Sequence, residues 1–157
     1  MTYSLFVDLD RCIGCYACEV ACKQEHNLPV GPRWIRVVQD GPKKFSGGLQ
    51  LDFYPKMCKQ CEDPKCAEAC PEKAISKRAD GLVTISLNLC TGCRACVEEC
   101  PFGLMDFDQE TEKASKCDLC AERLKQGLDP SCVAFCAGKA LIFREEISEN
   151  PRMIRLV

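Results

Sequence analysis

The sequence predicts an α+β fold in which short strands and short helices pack around sulfur-rich centres, arranged as two nested units. Three observations predict it. Sixteen cysteines in 157 residues fall into four quartets, each closing with the same three-residue gap. The chain is 46% apolar, yet the cysteines take so much of that stock that roughly a third of the residues remain for ordinary packing. The intervals between quartets also differ: one is short with strand and turn composition, another long and broken by proline and glycine.

The quartets are Cys12, Cys15, Cys18, Cys22; Cys58, Cys61, Cys66, Cys70; Cys90, Cys93, Cys96, Cys100; and Cys117, Cys120, Cys132, Cys136. The third, ending Cys100-Pro101, is the Cys-x2-Cys-x2-Cys-x3-Cys-Pro run by which bacterial ferredoxins hold 4Fe-4S clusters. Sixteen thiols suffice for four cubanes with one Cys on every iron. Inorganic clusters then serve as much of the core, and folding is expected to depend on metal. The first three cysteines of a quartet read as a tight loop whose backbone N–H groups face the sulfurs. Gly14 and Gly92 suit such loops because glycine adopts positive φ without strain. The second quartet has Lys59-Gln60 there and widens its next gap to Glu62-Asp63-Pro64-Lys65. The last gap spans four positions, which puts both thiols on one face of a helical turn, so neighbouring clusters can share it. In two-cluster ferredoxins the fourth Cys ligates the other cluster. Quartets must therefore be paired before ligands are assigned.

Along the chain, the segment from Thr2 to Asp10 interrupts its apolar residues with acids and shows no twin arginine or cleavage site, so no export signal is expected. Arg33 to Val38 reads as a strand holding Trp34, and Asp40 to Gly48 as a solvated turn carrying Lys43 and Lys44. The 35 residues between Cys22 and Cys58 include Pro29, Pro32, Pro42 and Gly47-Gly48, which disfavours pairing the first two quartets. By contrast, 19 residues separate Cys70 from Cys90, with Pro71 to Ile75, a turn at Asp80-Gly81 and a strand pattern from Leu82 to Leu87. That is a ferredoxin half-repeat. The second quartet then pairs with the third in an inner ferredoxin-like unit, residues 51–109. The first is left for the fourth, in an outer unit of residues 1–50 plus 110–157. A helix from near Asp118, ended by Asp129-Pro130, is expected between Cys120 and Cys132. The best apolar run, Val133 to Phe143, is 11 residues long and contains Lys139, too short to span a bilayer. A soluble, cytoplasmic chain is expected, with membrane association only through a partner.

Formal net charge is −2 and falls to roughly −10 once four thiolate-capped cubanes are counted, which argues against nucleic acid as a partner. Lys23, Lys59, Lys65, Arg94 and Lys116 flank cysteines and are placed either to offset cluster charge or simply to face solvent. His26, the single histidine, reads as a polar surface residue, with proton coupling to reduction as the alternative. Trp34 is read as packing over a cluster or anchoring a partner. A disulfide scaffold lacks the secretory context and would leave many close thiols to pair wrongly. Zinc needs two pairs and gives no reason for the third and fourth cysteines of each quartet. Haem attachment fails because no Cys-x2-Cys pair precedes a histidine.

The runs Cys12-Ile-Gly-Cys15-Tyr-Ala-Cys18-Glu-Val-Ala-Cys22-Lys23, Cys61-Glu-Asp-Pro-Lys-Cys66 and Lys116-Cys117-Asp-Leu-Cys120-Ala-Glu-Arg123 resemble the four-cluster electron-transfer subunits of molybdenum and tungsten oxidoreductases, such as dimethyl-sulfoxide, polysulfide and formate enzymes. The 11 residues between Cys120 and Cys132 are the most specific element of that resemblance, which covers about residues 4–144. It implies one cluster on Cys12, Cys15, Cys18 and Cys136, and a second on Cys22, Cys117, Cys120 and Cys132. A third falls on Cys58, Cys61, Cys66 and Cys100, and a fourth on Cys70, Cys90, Cys93 and Cys96. In the family these form a wire whose Cys12 end faces a catalytic subunit carrying a Mo- or W-pterin. Two departures stand out: Ala137 occupies the place where many relatives have Pro, and the chain ends about 20 residues after Cys136. The short length resembles small subunits that accompany tungsten aldehyde oxidoreductase or benzoyl-CoA reductase.

The expected role is a non-catalytic subunit moving single electrons between a catalytic partner and an external donor or acceptor. Every iron would be capped by Cys, leaving none open to substrate. No nucleotide-binding glycine fingerprint or nucleophile motif is present. A free-standing polyferredoxin serving several redox enzymes, a zinc-stabilised interaction module and an enzyme with a labile cluster are the alternatives.

Overall fold

A computed structural model describes residues 3–143 and 152–157. It is an α+β fold of short elements. These are β1 (Leu5–Asp8), α1 (Ala17–Glu25), β2 (Ile35–Phe45), β3 (Gly48–Met57), α2 (Lys65–Glu68), β4 (Ile75–Lys77), β5 (Val83–Ile85), α3 (Ala95–Glu98), β6 (Asp106–Asp108), β7 (Lys113–Ser115), α4 (Ala121–Lys125), α5 (Ser131–Ala134), β8 (Leu141–Phe143) and β9 (Met153–Arg155).

The strands form one three-stranded antiparallel sheet, ordered β8-β1-β9, and three hairpins, β2-β3, β4-β5 and β6-β7. β1 is the central strand and is buried along its whole length, which explains its uninterrupted Leu-Phe-Val run. Its pairing of Leu5 with Phe143 and Val7 with Leu141 brings the two ends of the chain together. Buried apolar residues form two cores. The larger contains Leu5, Val7, Ile35, Met57, Leu119, Leu141 and Leu156 together with Cys22, Cys117 and Cys132. The smaller holds Ile75, Val83, Met105 and Ala114 around Cys96. Cysteines sit inside both, as expected of a chain short of ordinary hydrophobic volume.

The segment from Asp40 to Gly48, read as a solvated turn, is instead mostly paired backbone. The β2-β3 ladder continues to Phe45 opposite Gly48, with its register shifting between Asp40 and Lys43. That irregularity accommodates Pro42, which has no N–H to give a ladder. Arg36 of β2 pairs with Asp106 of β6, tying the hairpin to the smaller core. The inserted helix is shorter than the sequence suggests: α4 starts at Ala121, because Leu119 and Cys120 are left-handed, and stops before Gly127, whose φ is +72°. Asp129 accepts a hydrogen bond from Arg123, and Pro130 begins α5 instead of ending α4. Residue 51 lies within β3, and residue 110 lies in the turn joining β6 to β7.

Loop conformation repeats at two positions. The residue just before the second cysteine is left-handed in all four quartets: Gly14 (φ +63°), Gln60 (+49°), Gly92 (+75°) and Leu119 (+56°). Glycine does this freely, whereas a side chain costs about 1–2 kcal/mol. Gln60 is held there by its amide, which donates to the Cys117 carbonyl (2.8 Å) and accepts from the Val83 N–H (2.8 Å). Leu119 is held by burial, being 1% exposed. The second repeat follows the last cysteine. Lys73, Gly103 and Lys139 are left-handed, three residues after Cys70, Cys100 and Cys136, and each donates its N–H to that cysteine's carbonyl. Ala137 therefore supports the same turn that Pro71 and Pro101 support. Cys22 is the exception, because α1 continues past it and His26 caps the helix.

Two substitutions separate crowding from backbone strain. Gly92 and Gly103 both have positive φ, but a Cβ on Gly92 would lie 2.2 Å from the Glu112 carbonyl oxygen, while one on Gly103 meets nothing within 4 Å. Gly103→Ala is expected to cost about 1–2 kcal/mol. Gly92→Ala should cost a further ~1–3 kcal/mol through overpacking, read as a larger drop in the unfolding midpoint. Equal effects would show that the Glu112 contact yields freely.

Candidate metal centres

Four cysteines line each of three separate cavities. Cys12, Cys15, Cys18 and Cys136 line one, beneath β3 and β8. Cys58, Cys61, Cys66 and Cys100 line another. Cys70, Cys90, Cys93 and Cys96 line a further one, against Ala74 and Ala114. The remaining cysteines, Cys22, Cys117, Cys120 and Cys132, are all buried. They stand close enough for Cys120 to raise the Cys22 thiol, and for Cys132 and Cys22 to raise that of Cys117.

Burial dominates the thiol acidities, and sulfur–sulfur repulsion adds to it. Loss of water pushes Cys18 and Cys22 up to about 12, with Cys136 adding to the first and Cys120 to the second. Burial likewise lifts Cys96 and Cys120 to about 11. Burial raises Cys117 and Cys132 well above the ordinary value too. At neutral pH such thiols keep their protons unless a cationic body replaces them. The sites thus call for a positively charged metal body. Among the described residues no three His, Cys, Asp or Glu side chains converge as they would on one metal ion. Ligands that each cap a different iron stand farther apart than the ligands of one zinc. Donor type and spread both fit a cubane.

Backbone donors are already aimed at the sulfurs. The N–H groups of Ala74, Leu104 and Ala140 lie 3.2–3.3 Å from the Sγ atoms of Cys70, Cys100 and Cys136, delivered by the turns described above. Ser131 and Leu119 donate to Cys120 and Cys117 at 3.4 Å. Such bonds stabilise thiolate charge and raise the potential of a bound cluster.

The four sets form a row. Cys18 and Cys22 share α1, and Cys132 and Cys136 share the turn at α5, joining the first set to the second. Cys58 is near enough to raise the Cys117 thiol, joining the second to the third. Cys66 does the same to Cys96, joining the third to the fourth. Only Cys15 and Cys93, in the two end sets, are exposed. Exposed Ile13 and Tyr16 flank the Cys15 end, and Arg94 lies 4.0 Å over the Phe107 ring at the Cys93 end.

His26 departs from the expected surface position. Its side chain is 16% exposed, tilts against Trp34 with ring centroids 4.4 Å apart, and brings Nε2 within 3.3 Å of Cys120 Sγ. Burial lowers its basicity, with Asp118 and Glu25 opposing. Trp34 packs against the larger core. Among the flanking cations, Lys116 is buried at 3% exposure, whereas Lys65 and Arg94 are exposed and Lys23 reaches the Pro29 carbonyl.

Among the described residues no helix is long and apolar enough to cross a membrane. A family described as the 4Fe-4S dicluster domain matches residues 49–146, and a second of that description matches residues 11–75. The sequence is 37% identical to a polysulfide reductase polypeptide of Wolinella succinogenes, over 90% of this protein and 75% of that one. It is 37% identical to a tetrathionate reductase polypeptide of Salmonella typhimurium, over 99% of this protein and 62% of the relative. Against an anaerobic dimethyl sulfoxide reductase polypeptide of Escherichia coli the identity is 35%, over 90% and 72%. The match spans 65% of a dimethyl sulfoxide reductase iron-sulfur subunit of Halobacterium salinarum, so some relatives are half as long again. With two dicluster matches laid over these sulfur-lined cavities, the chain belongs to the 4Fe-4S dicluster family, among the iron-sulfur electron-transfer subunits of the dimethyl sulfoxide, polysulfide and tetrathionate reductase type.

Proposed function

We propose that the chain holds four 4Fe-4S clusters and conducts electrons between a catalytic subunit, of Mo- or W-pterin type, and an external donor or acceptor. The observation that carries this reading is the row of four cysteine sets with exposed thiols only at its two ends. The proposed ligand sets are Cys12, Cys15, Cys18, Cys136; Cys22, Cys117, Cys120, Cys132; Cys58, Cys61, Cys66, Cys100; and Cys70, Cys90, Cys93, Cys96; a shared cavity supports the first, third and fourth, and common burial supports the second. Residues 51–109 make the inner unit, and 1–50 with 110–157 the outer one. The two buried cores support that division.

Each cubane, when bound, takes up and returns one electron. The protein's residues do the rest. Sixteen thiolates cap every iron, which leaves no site for substrate and makes the subunit non-catalytic. Backbone N–H groups stabilise the sulfur charge, and the apolar packing around Cys22, Cys117 and Cys132 keeps water from the middle of the row. Ile13 and Tyr16, exposed beside Cys15, suit contact with the catalytic subunit. Relatives named as components of multi-chain reductases support such a partner. Net charge of −2 before any cofactor speaks against nucleic acid. A cytoplasmic location, with membrane contact only through a partner, completes the reading.

Anaerobically purified protein is expected to contain about sixteen irons and to bleach with dithionite. Cys136→Ala should lose about four irons and disable the outer pair while the inner pair keeps its EPR signals. Loss confined to the inner pair would overturn the assignment. Acid should act in one direction. Burial raises the pKa of thiols such as Cys18 and Cys22 above the ordinary value of 9.0, so protons compete with metal for these ligands and binding weakens as pH falls. Iron release to a chelator should therefore quicken from neutral to mildly acid pH, and a rate independent of pH would contradict thiolate ligation.

A further inference from the structure

Lys116 places a positive charge in the interior with no carboxylate to meet it. It is 3% exposed, and among the described residues no Asp or Glu oxygen comes within ion-pair distance of its ammonium. The ammonium donates to the carbonyls of Val83 and Cys117, the latter at 2.9 Å. Two neutral acceptors do not offset the desolvation of a buried cation, which persists where an anion lies close. The anionic body nearest to hand is the four-thiolate site of Cys58, Cys61, Cys66 and Cys100, whose cavity Lys116 lines. Lys116 also draws down the thiols of Cys66 and Cys61, against the larger upward push of burial.

The location carries further meaning. Lys116 adjoins Cys117 in sequence, so it stands at the junction between the second and third sets. Gln60 bonds the same two peptide segments, meeting the Cys117 carbonyl and the Val83 N–H, and so fixes the frame that aims the ammonium. Of the six cations that flank cysteines, Lys116 alone is buried.

We propose that Lys116 is the positioning residue that sets the third centre, on Cys58, Cys61, Cys66 and Cys100, at a higher reduction potential than it would otherwise have. This rests on the reading of those four cysteines as the ligands of one cubane. One electron arrives from a neighbouring centre, which is oxidised as the third is reduced, and later leaves the same way. No bond is made or broken, and no proton moves. The buried ammonium offsets the added negative charge, favouring residence of the electron at the crossing between the outer and inner pairs.

The test is a redox titration, followed by EPR, of the full-length protein and of Lys116→Met and Lys116→Arg. In Lys116→Met one centre should become at least tenfold harder to reduce, a fall of about 59 mV or more for a single electron, and the other three should move less. Lys116→Arg should stay near the wild type. The centre that moves should be the one perturbed by Cys58→Ser. An unmoved centre, equal movement of all four, or movement of an outer centre alone overturns the proposal. Should Lys116→Met fail to hold its iron, Gln60→Glu sets a carboxylate beside the carbonyl that Gln60 and Lys116 share. It should lower the same potential, and an unchanged potential there overturns the proposal as well. Wild-type protein holding markedly fewer than about sixteen irons would instead defeat the four-cluster reading, before any variant is compared.

Discussion

Thiolates gathered in a water-poor interior repel one another, and each loses the hydration that would stabilise its charge. Burial and mutual repulsion together push thiols such as Cys18 and Cys22 up to about 12. A chain that places four such groups around each of three small cavities, and buries four more together, calls for cationic cores before any other interaction matters. The remaining architecture serves that commitment. Left-handed residues before each second cysteine bend the loop around the cavity, and turns after the last cysteine deliver an N–H to its sulfur. Elements stay short because ligands, more than long apolar faces, hold them in place.

Joining the sets in a row solves a second problem. A cubane buried deep in protein is shielded but isolated, whereas one near the surface is reachable but wet. Here the set of Cys22, Cys117, Cys120 and Cys132 is buried throughout, that of Cys58, Cys61, Cys66 and Cys100 is half-buried, and the most open thiols are Cys15 and Cys93. Shared elements such as α1, with Cys18 and Cys22 one helical turn apart, make adjacent centres neighbours by construction. The β2-β3 hairpin braces this arrangement through Arg36 and Asp106.

Much of this was legible in the residues. Quartet spacing announced the chemistry, Gly14 and Gly92 marked two of the four loop bends, and the turn at Gly81 is where composition put it. Gln60 and Leu119 gave no such sign, because their strained conformation is enforced by contacts from distant segments: a bridging amide in one case, core packing in the other. The long β2-β3 ladder was hidden by Pro42 and paired glycines, which read as loop until a register shift absorbs the proline. His26 and Lys116 were singled out in sequence, but their environment was not legible. It depends on Trp34 stacking against the one and the Val83 carbonyl meeting the other, contacts that only the fold brings together.

Pairing of β1 with β8 sets an order on how the molecule can be made. The cysteines from Cys58 to Cys100 are contiguous and can close around iron as soon as that stretch leaves the ribosome. Cys12, Cys15, Cys18 and Cys22 emerge first, yet their partners on α5 and the strand that seats against Leu5 arrive only after residue 130. On the proposed ligand sets those four thiols stay without their full complement until that later stretch is made, so the outer pair of centres closes after the inner one.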